Sequence, residues 1–349
     1  MSDVRTLYSN KAESCLFAFL RWFDSWAGLE KMKLDGPPKV DWFRSVPFIA
    51  VHLMCLGVFW VGWSWTAVAV AVAFYFIRMF AITGWYHRYF SHRTFKTSRT
   101  VQFLFALLGG SCAQRGPLWW AGHHRHHHIA SDTPEDVHSP RQGGFLWSHM
   151  GWVMSQTYYA PRLKAIADFA KFPELRFLDR YDVLIPTITG FGMFGLGWLL
   201  EVQAPGLGTN GSQMLIWGFF ISTVALFHGT CTINSLSHVY GSQRYQTGDD
   251  SRNNFFLAMI TMGEGWHNNH HYYPASTRQG FYWWEIDLTY YCLKLLEHLG
   301  LVWDIRNVPT YVREGKSKQE AEQGALKRPI ERKVPVSVTV PASAEEIPA

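Results

Sequence analysis

Long uncharged stretches alternate along the chain with polar, histidine-bearing ones. From Ser45 to Ile77 there is no Lys, Arg, Asp or Glu, a run of 33 residues. One bilayer crossing needs about 20 apolar residues, so this run suits most of a hairpin of two. Gly62-Trp63-Ser64-Trp65 supplies the turn, and the pattern predicts spans over 46–63 and 65–84. Arg78 falls in the last turns of the second span, close enough to its end to snorkel. A second apolar pair covers 183–200 and 214–236, joined by the turn-rich EVQAPGLGTNGSQ. Between the pairs, Val101–Cys112 is apolar but too short to cross, and is expected to be re-entrant or interfacial. Near the start, FAFLRWFDSW over 17–26 predicts an amphipathic helix lying on the membrane, and Gly36-Pro37-Pro38 breaks the chain after it.

These elements predict an all-α integral membrane fold: four transmembrane helices in two hairpins with a helical cap. An N-terminal segment, 1–45, leads into a body over 46–312, of which 85–182 and 237–312 form the cap. The tail, 313–349, has Lys, Glu, Ala, Pro and Val without periodicity and is expected to be disordered. Neither far-side loop holds Lys or Arg, and none occurs from Tyr181 to Gln243. The positive-inside rule then sets both termini and the cap in the cytoplasm.

Composition narrows the function. Aromatics are 16% of residues, with 17 Trp, as interfacial belts require. The net charge of +5 is not gathered into an aromatic-interleaved basic patch, which argues against nucleic acid and for anionic headgroups. The five cysteines include no C-x-x-C, so neither a disulfide framework nor a thiolate metal site is expected. No signal peptide is read at the N-terminus.

The chemistry lies in the histidines, 16 of 349 residues. His124, His127 and His128 in HHRHHH share the spacing of His267, His270 and His271 in GEGWHNNHH. On a helix that spacing puts three imidazoles on one face. An even number of spans returns the chain to its starting side, so His87 and His92 of WYHRYFSH and His238 of NSLSH join them at the cap. Nine imidazoles exceed one metal's coordination number and imply two metals; Fe, Cu, Ni or Zn would suit. His87 and His92 are about 140° apart on an ideal helix, so the helix must end or loosen there if both serve one centre. Asn234, four residues before His238 on one helix face, is a candidate weak ligand through water or an orienting group. Asp132, Glu135, Asp136 and Glu264 are candidate acceptors for the imidazole N–H groups. His52 and His228 are expected to be packed within spans. His123 and His126 lie off the ligand face, and His138, His149 and His298 are read as structural.

WYHRYFSH, HRHHH and GEGWHNNHH, set between two hydrophobic hairpins, resemble the three histidine boxes of the membrane fatty acyl desaturases. NSLSH and GDDSRNN strengthen the likeness to the Δ9 type over about residues 45–305. The resemblance implies a di-iron enzyme that uses O2 and two electrons to place a cis double bond, typically between C9 and C10 of a saturated acyl chain. It maps the family's ligands onto the nine histidines and its water-bridging Asn onto Asn234. It sets Trp120 on the substrate tunnel and Tyr75 and Ala71 at the tunnel's closed end. Where acyl-CoA members carry an Arg-Asp pair that holds CoA, this chain has Gly122 and His123; Gln156 and Thr157 replace a second, basic pair. The substrate is thus a long acyl chain carried either as a CoA thioester or on a membrane lipid. No fused cytochrome b5 is expected, since the tail lacks a haem-binding histidine pair, so a separate ferredoxin or cytochrome b5 is expected to deliver electrons. The competing readings are a hydroxylase or other oxygenase with the same boxes and a membrane metal-binding or transport protein. Few ionisable groups line the spans, which disfavours transport.

Overall fold

The computed structural model describes residues 16–17, 19–29, 37–316 and 320. The chain divides into a unit of residues 1–308 and a second of 309–349. In the described part of the second unit a helical turn forms at Thr310–Arg313. Most of the tail expected to be disordered lies outside the described residues.

The first unit is helical. α1, Val46–Val61, is apolar but narrows to a 3-10 turn at Cys55–Gly57. At about 1.5 Å per residue it reaches about 24 Å, short of a ~30 Å hydrocarbon core. Among the described residues three helices are long and apolar enough to cross a membrane: α2, Trp65–Ser91; α6, Leu184–Gln203; and α7, Gly211–His238. Between α2 and α6 come α3, Arg99–Gly110; α4, Pro117–Ala130; and α5, Pro173–Arg180. After α7 follow α8, Phe255–Ile260; α9, His267–Tyr272; and α10, Leu288–His298. Two short strands, β1 (Lys96–Thr97) and β2 (Val302–Trp303), pair antiparallel with Lys96 opposite Trp303.

Large apolar side chains on the outer faces, Phe59 and Trp60 of α1 and Phe191 of α6 among them, are exposed. Such a surface suits lipid, not water. The core gathers around the second half of α2, where Trp85, Tyr86 and Phe90 are buried and Trp85 stacks on Phe105 of α3. α2 is α-helical to Phe80 and π-helical over Ala81–Ser91.

Two expectations are corrected. Arg78 does not snorkel: it is fully buried. Its guanidinium donates to the Ser111 carbonyl (3.0 Å) and to the hydroxyls of Thr223 (2.8 Å) and Ser222 (2.5 Å). Those neutral acceptors tie α2 to the end of α3 and to α7, which outweighs the pull of water. The helix expected over 17–26 is helical at Phe17, Phe19 and Leu20 but turns from Arg21 onward. There the Arg21 guanidinium gathers the carbonyls of Ala27 and Gly28, and the Ser25 amide donates to the Arg180 carbonyl. These tertiary hydrogen bonds hold the turns that follow Asp24, while the backbone bonds of Arg21 to Asp24 still reach back to Phe17, Phe19 and Leu20.

Candidate metal centre

Each histidine segment is positioned by a different local device. In α2 the His92 amide donates to the His87 carbonyl at 3.2 Å, an i to i+5 closure. A π-turn sets residues five apart nearly above one another, and the two ring centroids are 4.9 Å apart. This is the loosening that the spacing required.

α4 begins at Gly116, which has no capping side chain of its own. Asp179 of α5 supplies the cap, accepting from the Trp119 amide at 2.7 Å. A Cβ on Gly116 would lie 2.3 Å from the Asp179 Cα, so only glycine admits that approach. Burial pushes the Asp179 carboxyl up to about 6 against these hydrogen bonds. α9 is one and a half turns long and is pinned by the two residues between its histidines. Asn268 Oδ1 accepts from the amides of Arg244 and Tyr245, and Asn269 Nδ2 donates to Glu285.

The nine histidines converge into two groups. His87, His92, His124, His128 and His270 form one, and His127, His238, His267 and His271 the other; within each, one nitrogen per ring lies within 4.8 Å of the rest. In the five-histidine group the Nε2 atoms approach at 2.9 Å for His87–His270, 2.9 Å for His92–His124, 3.0 Å for His124–His128 and 2.9 Å for His128–His270. In the four-histidine group His238 and His267 approach at 3.1 Å.

Hydrogen bonds among the rings cannot account for the larger group. An imidazole nitrogen offers one hydrogen or one lone pair, yet His124 and His270 each meet two partners through one Nε2. A metal–imidazole bond of about 2.1 Å sets neighbouring donors about 3.0 Å apart at right angles and about 3.4 Å apart in a tetrahedron. The observed separations fit imidazole donors turned toward one shared cation, which these residues would hold.

Four of the nine Nδ1 atoms point outward to carboxylates. His87 meets Glu264 at 2.5 Å, His127 meets Asp136 at 3.0 Å, His238 meets Asp132 at 2.9 Å and His271 meets Asp249 at 2.6 Å. A carboxylate on Nδ1–H fixes the tautomer and leaves the Nε2 lone pair aimed inward. Burial alone would raise the pKa of these four carboxyls, but the imidazoles and hydrogen bonds around them win and hold each below its ordinary range. Burial, then the neighbouring imidazoles, push His92, His124, His128, His267 and His270 well below the usual histidine value; burial lowers His271 to about 4. Neutral rings beside ionised carboxylates form a donor set ready for a cation.

Glu264 is held in turn. It accepts from Arg88 at 3.0 Å and from Gln279 at 2.8 Å, and Arg88 also pairs with the buried Asp287.

Of the acceptors expected from sequence, Asp132, Asp136 and Glu264 stand on the rings. Glu135 does not: its carboxylate takes the Thr133 hydroxyl, and only its backbone carbonyl meets His126. Asp249 and Gln279 were missed, although Asp249 lies in the GDDSRNN stretch already singled out. Asn234 and His238 do not share a helical face, because the α-helical part of α7 ends at Asn234 and a 3-10 turn carries His238. His52, His228 and His149 form a hydrogen-bonded file ending on Ser235. His123 bonds to the Ala160 carbonyl, His138 packs on His127, and His298 is exposed.

Two cavities adjoin the clusters. The larger, about 790 Å³, reaches from the arginines of the N-terminal segment, along α1, α6 and α7, to Trp120, His124 and Asn234. The smaller, about 30 Å³, lies among Met79, Ile82, Ile233, His87 and His267. Trp120, His124, Thr230 and Asn234 line both. Tyr75 and Ala71 line neither; the Tyr75 hydroxyl donates to the Ile260 carbonyl and Ala71 is buried in α2.

Fold and site together define a helical, membrane-associated protein with two histidine clusters able to hold metal. The family profile for fatty acid desaturases matches residues 63–306. The chain is 35% identical over 275 residues to the sn-1 stearoyl-lipid 9-desaturase of Anabaena variabilis, covering 77% of this chain and 95% of that one. It is 37% identical over 280 residues to an acyl-CoA 5-desaturase of Anemone leveillei (79% and 82%). Over 272 residues it is 35% identical to the Delta-9 acyl-lipid desaturase 1 of Arabidopsis thaliana (77% and 84%). The chain belongs to the fatty acid desaturase family and is an oxidoreductase.

Proposed function

We propose that the chain introduces a cis double bond at C9–C10 of a saturated long acyl chain, carried by a membrane lipid or by CoA. The observation that carries this reading is the meeting of two cavities beside the five-histidine group, at Trp120, His124, Thr230 and Asn234. The proposed ligands are His87, His92, His124, His128 and His270 for one iron and His127, His238, His267 and His271 for the other, with Asn234 acting through water. Two irons, when bound, supply the O2 chemistry that breaks an unactivated C–H bond. The balance is fixed: two vicinal C–H bonds are lost, and substrate and donor each give two electrons. O2 and two protons, with the two hydrogens removed, leave as two waters.

The chain's own residues orient and exclude. The carboxylates on Nδ1 keep the rings in one tautomer. Trp120 and the apolar walls of the larger cavity hold the acyl chain beside the histidines and keep water out. The α1–α2 and α6–α7 pairs are proposed as two membrane hairpins, with termini and site on the cytoplasmic face. Electrons are proposed to come from a separate ferredoxin or cytochrome b5.

The test is expression with such a donor, followed by mass spectrometry of double-bond position. A new C9–C10 cis-alkene, lost together with iron in His267→Ala, is expected. An alcohol product, or full activity in His267→Ala, overturns the reading.

A further inference from the structure

We infer that the acyl chain arrives sideways from the bilayer, between α1 and α6, still esterified to an anionic glycerophospholipid whose phosphodiester is received by Arg21, Arg44 and Arg115. The inference rests on the desaturase reading for the fate of the chain and names its carrier.

The walls argue for a lateral path. α1 and α6 each pack on α7. The larger cavity lies between them, with Phe48 and Val51 of α1 on one side and Thr187 and Phe191 of α6 on the other. Phe191 is 76% exposed at this wall. A chain already in the bilayer can enter such a slot without crossing water.

The polar end argues for an anion. Three guanidinium groups line it, against the single carboxylate of Asp182, which pairs with Arg115 at 3.0 Å. Arg21 spends its donors on the carbonyls of Ala27 and Gly28, and Arg44 on those of Ser155 and Val153. Among the described residues neither meets a carboxylate within ion-pair distance. Arg21 is 4% exposed, and a buried cation without a counter-ion is costly. The indole N–H groups of Trp22 and Trp152, on the same cavity, are buried without an acceptor. A phosphodiester supplies charge and acceptor oxygens together. Burial, then the nearby Arg115, lowers Arg44 to about 9, a repulsion that an anion relieves.

The probes are 1-stearoyl-2-oleoyl phosphatidylglycerol and stearoyl-CoA. Native mass spectrometry of the purified full chain should show retained phosphatidylglycerol. Arg44→Gln should lower that retention about tenfold or more, as expected for one charge-assisted contact. With an electron donor, vesicles of the same lipid carrying a deuterated stearoyl chain should yield desaturated lipid. Thr187→Trp, which narrows the slot away from the arginines, should slow this with metal content unchanged. Stearoyl-CoA turned over as fast as the lipid, or phosphatidylglycerol retention unchanged in Arg44→Gln, overturns the inference while leaving the desaturase reading intact. Lipid retained through Arg44 with neither substrate oxidised supports the inference and removes that reading.

Discussion

His87 Nδ1 and Glu264 Oε2 stand 2.5 Å apart, and Arg88, the residue after His87, grips the same carboxylate from the other side. Glu264→Gln keeps the shape but removes the charge that both neighbours use. The expected result is a 10–100-fold loss of metal affinity, as is usual for such supporting groups, confined to the five-histidine group. Asp249→Asn should weaken only the four-histidine group, through His271. Metal stoichiometry under chelator competition separates them: each variant should retain about one of two metals. Loss of both metals together in either variant would show that the groups are not independent sites.

Acid should unfold the metal-free protein early. The folded values of His92, His124, His128, His267 and His270 lie well below the ordinary histidine range, and those of His123, His138 and His271 fall to about 3, 3 and 4. The unfolded chain therefore takes up protons first as pH drops through about 6.5, and stability present above that pH is lost below it. Asp179, raised to about 6, and Asp182, also raised by burial, act in the opposite sense, two carboxyls against eight imidazoles. The melting temperature of metal-free protein should fall between pH 7.5 and 5.5; a flat or rising profile refutes the account.

Arg78 offers a test of a buried cation without a carboxylate. Lysine keeps the charge but cannot reach the Ser111 carbonyl, Ser222 and Thr223 at once, whereas methionine removes the charge and its desolvation cost. Both variants should melt below the parent, and Arg78→Lys should melt below Arg78→Met. The reverse order in detergent melts would mean that the charge itself stabilises the fold.

The clustering of the histidines was legible because their spacing is local: i, i+3, i+4 on α4 and α9 needs no knowledge of the rest of the chain. The i, i+5 pair even announced an irregular helix in α2. The apolar runs located α2, α6 and α7, since length and hydropathy alone decide a crossing. What could not be read depends on contacts across the sequence. Asp249 reaches His271 across 22 residues and Arg88 reaches Asp287 across 199. Glu135 was wrongly favoured and Asp249 overlooked because proximity in sequence to a histidine box says little about which carboxylate faces a ring. Arg78 went astray for the same reason, because its acceptors lie on α7 and at the end of α3.

The wide turn of α2 carries one more residue than a regular helix needs to bring two side chains onto one face. Between His87 and His92 stand four residues instead of three, and all four are buried. Arg88 goes to Glu264 and Asp287, Tyr89 to Gln102, Phe90 to Phe169, and Ser91 to the Tyr86 carbonyl. Shortening the turn by one residue would not part the histidines, since i, i+4 on an α-helix also makes neighbours. It would remove one of four tethers. The extra residue therefore makes the turn a junction, from which the histidine pair is braced against Gln102, Phe169, Glu264 and Asp287.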